Sequence, residues 1–239
     1  LEHALLTKCD KLVVSSQHLH NKYKHYKAPI LIRNATDLTH FSKPAKEIAR
    51  PVFIEQYLIK GVKNTIKIGY VGAIAEWFDA DLVEEVAKKE PEFEFHLCGE
   101  VTASDPMKLG KIKNIHLHGE ISYADVPGFL HEMDVLIIPF KIVPIIQACD
   151  PVKFYEYSAT GKPTVTTALP ELSRGGDLTF FATKPSEFSE QIHNAYKQGK
   201  VRNFRKKLQE YAANNTWQHR TEQFIKVLED IPKVSIIIL

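Results

Sequence analysis

The feature that most constrains this chain is an alternation. Eight short runs rich in β-branched and aromatic residues recur along it: KLVVSS (11–16), PILIRN (29–34), TIKIGYVG (65–72), FEFHLCG (93–99), NIHLHG (114–119), DVLIIPF (134–140), KPTVTT (162–167) and LTFFAT (178–183). Between most of them the apolar residues switch to helical spacing. Leu82, Val83, Val86 and Ala87 share one face of a segment at 79–90, and Val126, Phe129, Leu130 and Met133 do so at 123–133. Strands joined through helices of that length need crossover connections, so they build a parallel sheet covered on both faces. A run such as VLIIPF, apolar throughout, fits a strand buried on both sides. The expected fold class is α/β, a doubly wound, Rossmann-like parallel sheet with six strands between about residues 65 and 183. Residues 185–230 read as two or three more helices, with KVRNFRKK (200–207) as a solvated basic face. Residues 1–34 read as a separate helix–strand–helix–strand unit. Residues 35–64, with Pro44, Pro51 and Gly61, read as connection rather than core.

Charge narrows the partners. The 239 residues hold 31 Lys and Arg against 29 Asp and Glu, a formal net charge of +2. A chain built to wrap nucleic acid carries a strong basic excess, so no nucleic-acid partner is expected. Cys9, Cys98 and Cys149 are far apart and form no CxxC pair. Neither a disulfide framework nor a zinc ribbon is indicated, and a reducing compartment is expected. No apolar run reaches the roughly 18 residues of a membrane helix. Leu1 opens directly into a helical pattern, and PKVSIIIL (232–239) is a strand-like run with nothing after it. The chain therefore reads as a piece of a longer polypeptide, with 65–231 as one domain and 232–239 opening another.

The richest chemistry lies in CDPVKFYEYSATGKP, residues 149–163. Asp150 suits a helix N-cap, Pro151 the first helical position, Gly161 a left-handed C-terminal cap, and Pro163 a stop. A short helix over 151–160 is expected to follow the strand DVLIIPF. In open α/β sheets ligands sit beyond the carboxyl ends of the strands, and a helix N-terminus there favours phosphate. Lys153 in the first turn opposes the helix dipole by up to about 1 kcal/mol, which a nearby anion would offset. Glu156 follows at i+3 on the same side. A lysine for phosphate and a carboxylate for two ribose hydroxyls would bind a nucleoside diphosphate along one helix face. The same spacing also fits a surface ion pair worth about 0.2–0.5 kcal/mol.

The pattern D-P-x-K-x-x-E-Y-x-A-x-G-K-P, Asp150 to Pro163, resembles the donor-site motif of family 4 GT-B glycosyltransferases, the group 1 transferases. IRNATDLTHF (32–41) resembles the family's hinge segment, and IGYVGAIAEWFD (68–79) its first strand and loop of the C-terminal domain. Together they span roughly residues 5–228, in the family's order and spacing. The resemblance implies two Rossmann-like domains around a cleft, the C-terminal one holding a nucleotide-sugar donor and the N-terminal one the acceptor. This chain would then hold a remnant of the acceptor domain, the hinge, and the whole donor domain. It implies that Glu156 accepts from the ribose hydroxyls and Lys153 contacts the diphosphate. Gly72 and Ala73 would let the backbone approach that diphosphate. Ile138, Pro139 and Phe140 would lie near base or ribose. Asp150, Pro151 and Val152 would open the binding helix, with Leu169, Pro170 and Glu171 toward the sugar. It further implies a UDP- or GDP-sugar as substrate, no metal and no other cofactor, and retention of anomeric configuration. The acceptor would be a glycan or polysaccharide bound through the missing N-terminal domain. Cytoplasmic use of nucleotide sugars follows, with membrane association of the parent left open. PKVSIIIL resembles the first strand of family 2 glycosyltransferases, which would make the parent a tandem enzyme.

The sequence also departs from the family. Ala148 stands where many members carry the first glutamate of an E-x7-E pair, and Asp150 is the nearest replacement. The loop AIAEWFD is acidic where basic residues are usual, so diphosphate charge would fall on Lys153, backbone amides and Arg174. Position 35 is alanine rather than glycine. These departures favour an alternative, an inactive nucleotide-binding or regulatory module on the same fold. An oxidoreductase reading fails, because no strand–GxGxxG–helix unit exists. His116 and His118 face one side of a strand, but no third ligand stands at a recognisable spacing, so they read as structural. Gly175-Gly176 reads as a loop. Trp77 suits either base stacking or packing. Nothing marks Cys98 or Cys149 as an activated thiolate.

Overall fold

The computed structural model describes residues 2–43, 47–59, 65–102, 105–229 and 236–238. An N-terminal unit contains α1 (Glu2–Lys8), β1 (Lys11–Val14), α2 (Gln17–Tyr23) and β2 (Ile30–Leu31). α3 (Leu38–Phe41) and α4 (Val52–Ile59) lead into the larger unit. That unit runs β3 (Ile66–Val71), α5 (Ala80–Lys89), β4 (Phe93–Cys98), β5 (Ile115–Gly119), α6 (Val126–Glu132), β6 (Val135–Ile138), α7 (Pro144–Gln147), α8 (Val152–Thr160), β7 (Thr164–Thr167) and β8 (Thr179–Ala182). Three helices follow, α9 (Pro185–Gly199), α10 (Arg202–Ala213) and α11 (Trp217–Glu229), and then β9 (Ile236–Ile238). Each of the eight apolar runs contains a strand.

The large sheet has the order β5-β4-β3-β6-β7-β8, with every pair parallel. This is the doubly wound arrangement, with its topological switch between β3 and β6. β6 is buried at all four positions, as a strand covered on both faces must be. The helical spacing at 79–90 has the anticipated result. Asp79 caps α5 by accepting from Leu82 N at 3.0 Å, and Leu82, Val83, Val86 and Ala87 are all buried. The basic run falls on α10, where Arg202, Arg205, Lys206 and Lys207 are exposed while Phe204 and Leu208 are buried.

The segment 35–64 is more than connection, and the expectation is corrected there. α4 forms within it, and Ile54 is fully buried in the core of the large sheet. Pro51 precedes the helix rather than breaking it, so a residue type that signals a loop here marks a helix start. The small sheet has the order β2-β1-β9, again parallel. Ile236–Ile238 of PKVSIIIL therefore pair with β1, while 232–235 and Leu239 lie outside the described residues. α11 returns to this small unit, where Val227 packs with Val13 and Ile32. Among the described residues no helix is long and apolar enough to cross a membrane.

Candidate functional site

In open α/β sheets the topological switch leaves a crevice outside the carboxyl ends of the flanking strands, here β3 and β6, and two loops meet there. After β3, Gly72 N donates to Cys98 O at 2.9 Å and Ile74 N to Glu100 O at 2.9 Å, tying that loop to the end of β4. The Tyr70 hydroxyl donates to Ala73 O at 2.8 Å. After β6, Pro139 O accepts from Asp79 N at 2.7 Å, and Lys141 N donates to Trp77 O at 2.8 Å. The two loops thus hold each other rather than standing free.

α8 aims Lys153 into this crevice. Gly72 has φ +136°, and a Cβ there would lie 2.4 Å from Lys153 Cε and 2.5 Å from Nζ. The lysine therefore occupies the space that the missing side chain leaves. Its ammonium lies 5.5 Å from the centre of the Tyr70 ring and 5.7 Å from that of Phe140, within reach of both π faces. Pro151, not Asp150, is the N-cap of α8, and it supplies no side-chain hydrogen bond. The first-turn N–H groups thus have no side-chain cap, the condition in which a helix N-terminus attracts an anion. Burial lowers Lys153 below the usual lysine value, with Glu156 and Cys149 opposing. Burial raises the Glu156 carboxyl, with Lys153 opposing. Both groups are thus partly stripped of water, where a partner charge counts for more than it does at the surface. The Tyr157 hydroxyl accepts from Val71 N at 3.1 Å, which seats α8 against the end of β3.

Asp150 is corrected from a helix cap to a latch. Its carboxylate accepts from Asn34 N at 2.8 Å, from the Tyr155 hydroxyl at 2.9 Å and from Arg174 Nη2 at 2.5 Å. Its carbonyl accepts from Asn34 Nδ2 at 2.7 Å. Burial pushes the carboxyl up, and Arg174 with the Asn34 and Tyr155 hydrogen bonds draws it back. A carboxylate buried this deeply needs that many donors. Arg174 is engaged as well, donating to Tyr155 and to the Glu171 carbonyl. Glu171 in turn accepts from Gln17 N at 2.5 Å and His18 N at 3.3 Å at the start of α2, and pairs with Arg33 at 3.4 Å. Asp150, Glu171 and Arg174 thus join the two units, whereas the tip of Lys153 reaches Gly72 beyond the end of β3.

The remaining expected residues spread around this centre. Ala73 is exposed, Val152 is half-buried, and Pro151, Pro139, Phe140 and Leu169 are buried. Phe140 O accepts from Thr167 Oγ1 at 2.6 Å. Trp77 is 36% exposed on the loop beside the crevice. Gly175 and Gly176 lie in a 3₁₀ segment, Pro170–Leu178. Burial raises both Cys98 and Cys149, so neither is an activated thiolate. Reading by sequence alone missed Tyr70 beneath the lysine and Asn34 on Asp150. The alternation of β3 points to Tyr70 only as core, and no local signal pairs positions 34 and 150.

The comparisons with known proteins bear on the family and on the fold. A family profile described as glycosyl transferases group 1 matches residues 65–198. TuaH of Bacillus subtilis (strain 168), named as a teichuronic acid biosynthesis glycosyltransferase, is 31% identical over 115 residues, 47% of this chain and 29% of TuaH. Among solved structures, Anabaena Alr3699/HepE in complex with UDP and glucose superposes with a TM-score of 0.73 at 14% identity, covering 92% of this chain and 63% of that one. A glycosyltransferase from Rickettsia africae ESF-5 gives 0.72 at 14% identity, covering 96% and 65%. These likenesses show the GT-B fold, and this chain spans less than two thirds of each of those proteins. With the profile lying across the whole β3-to-α9 region that builds the crevice, the chain belongs to the group 1 glycosyltransferases.

Proposed function

We propose that this chain is the donor-binding half of a retaining glycosyltransferase that takes its sugar from a nucleoside diphosphate, UDP being the first candidate. One observation carries the reading. Lys153 stands over the Tyr70 and Phe140 rings in the gap left by Gly72, with Glu156 one turn along α8. In this reading the diphosphate meets Lys153, the uncapped amides of α8 and the backbone of Gly72 and Ala73. The ribose hydroxyls donate to Glu156. As the glycosidic bond to phosphate breaks, negative charge grows on the leaving diphosphate, and a fixed ammonium with a helix N-terminus stabilises it most in that state. Charge stabilisation by these groups asks for no metal ion. Anabaena Alr3699/HepE was crystallised with UDP, which supports the choice of nucleotide. The acceptor is proposed to be a glycan or polysaccharide held by the other half of the cleft, and the site of action the cytoplasm.

Titration of this chain with UDP, GDP, ADP and CMP in chelator tests it. UDP is expected to bind selectively, and Lys153→Ala to weaken it by about 10- to 100-fold, the loss of a hydrogen bond to a charged group. Equal binding of UDP by the wild type and Lys153→Ala would place the nucleotide elsewhere. Ala148, where many members carry glutamate, keeps a second reading in play, a nucleotide-binding module without transfer. A full-length parent that binds UDP-sugar through Lys153 yet transfers nothing to any glycan would select that reading.

A further inference from the structure

The register of the large sheet assembles a histidine cluster that no local spacing reveals. Gly69, His96 and His116 stand opposite one another across β3, β4 and β5. Glu94 lies two residues before His96 and His118 two after His116, so all four side chains share one face. His116 Nε2 is 2.6 Å from Glu94 Oε2, and His96 Nδ1 is 3.1 Å from His118 Nε2. The His96 and His118 rings are stacked, with centroids 5.3 Å apart and planes 9° apart. Tyr57 of α4 covers the group, 4.6 Å from His116 and 5.0 Å from His118.

We propose that Glu94, His96 and His116 form a binding site for a divalent transition metal ion, with zinc the best fit. Glu94, His96 and His116 each bring one ligand atom into a group within 4.8 Å. Tetrahedral zinc with bonds of about 2.0–2.1 Å wants ligand atoms about 3.3 Å apart; here His116 Nε2 and Glu94 Oε2 are 2.6 Å apart and all three ligand atoms lie within 4.8 Å of one another. Two imidazoles and a carboxylate are a zinc-type donor set, and His118 holds the His96 ring as an outer hydrogen-bond partner. Solvent completes the shell, since the Glu94 and His116 side chains remain 25% and 20% exposed.

One observation sets this cluster apart from ordinary buried histidines. The three imidazoles offer six ring nitrogens, and only His96 Nδ1, His116 Nε2 and His118 Nε2 have hydrogen-bond partners among the described residues. The ion would fasten edge strand β5 to β4 beneath α4, away from the crevice at Gly72. It would serve structure rather than sugar transfer.

Calorimetric titration of tag-free, chelator-stripped chain with Zn²⁺ tests the site, with Co²⁺ absorption in the visible as a second readout. One ion per chain is expected, with a rise in Tm of about 5–10 °C at a hundredfold excess over Kd. His116→Gln and Glu94→Gln should each weaken binding by at least about 10- to 100-fold. His193→Gln, which alters the separate group with Glu90 and Glu92 at 3.7 and 4.0 Å, should leave it unchanged. His116 is partly exposed, so its variant is expected to keep the wild-type circular dichroism. Absence of zinc binding, or binding equal in wild type, His116→Gln and Glu94→Gln, would overturn the site and mark any bound metal as adventitious.

Discussion

Lys153 and Gly72 work as one unit. The lysine is a partly desolvated cation above two aromatic rings, and it fits only because position 72 has no side chain. Gly72→Ala would place a methyl group 2.4 Å from Lys153 Cε at a φ of +136°, which L-residues with a Cβ rarely adopt. The lysine end can swing away, but the backbone strain stays, so a loss of about 1–3 kcal/mol is expected in denaturant unfolding. UDP affinity should fall in the same variant, because the displaced ammonium no longer sits over the Tyr70 and Phe140 rings. A variant that lost stability and kept full UDP affinity would show that the position of Lys153 is not set by Gly72.

The end of β4 and the start of α9 show how single residues set whole elements. Gly99 has φ +144°, and a Cβ there would fall 2.0 Å from the carbonyl oxygen of Gly72. Backbone cannot swing aside as a lysine tip can. Gly99→Ala should therefore cost more than Gly72→Ala, about 3 kcal/mol, and disturb the crevice by pushing the two loops apart. Comparing the two variants by chemical denaturation checks that order. At the start of α9, Glu187 accepts from Thr183 N at 3.0 Å and Thr183 Oγ1 at 2.6 Å. Those bonds, with Lys184, hold its carboxyl down to about 2 from an ordinary 4.5. A depressed carboxyl stabilises the fold above its unfolded pKa and loses that contribution as pH falls through the folded one. The α9 cap should thus weaken between about pH 4.5 and 2. Stability of Glu187→Gln should vary less across that window than stability of the wild type. Helix ends of this kind were legible in advance where the signal is local. Gly161 takes φ +74° after α8, as its place between Thr160 and Pro163 suggested.

Across the molecule, the connection between the two units passes through Asn34. Its N–H and side chain bond Asp150, and its carbonyl accepts from Arg220 Nε and Nη2 at 3.2 Å. Thr36 adds two backbone bonds, accepting from Trp217 N at 3.2 Å and donating to Asn215 O at 3.1 Å. α8, the 170–178 segment and α11 therefore converge on one stretch of chain. Asp150→Ala should strand Arg174 and the Asn34 amide, and a loss of about 3 kcal/mol is expected, as for one partner removed from a buried pair. Limited proteolysis should then cut faster near residues 34–37 than in the wild type. Unchanged cutting would show that the α11 contacts alone hold the units together.

The amino-acid sequence by itself determined the alternation of strands and helices, the doubly wound fold class, the C-terminal end of α8 and the glycosyltransferase resemblance. Those properties depend on apolar spacing, caps and turn residues within a few positions of one another. Only the tertiary structure decided which charges meet. Asp150 reads locally as a helix cap, yet burial directs it to an amide 116 residues away. His116 and His118 read as an isolated pair until the parallel register sets them beside Glu94 and His96. Pro51 reads as a break until α4 forms behind it and buries Ile54. A buried polar group must find its partner wherever the fold supplies one, and that distance is not written in local spacing.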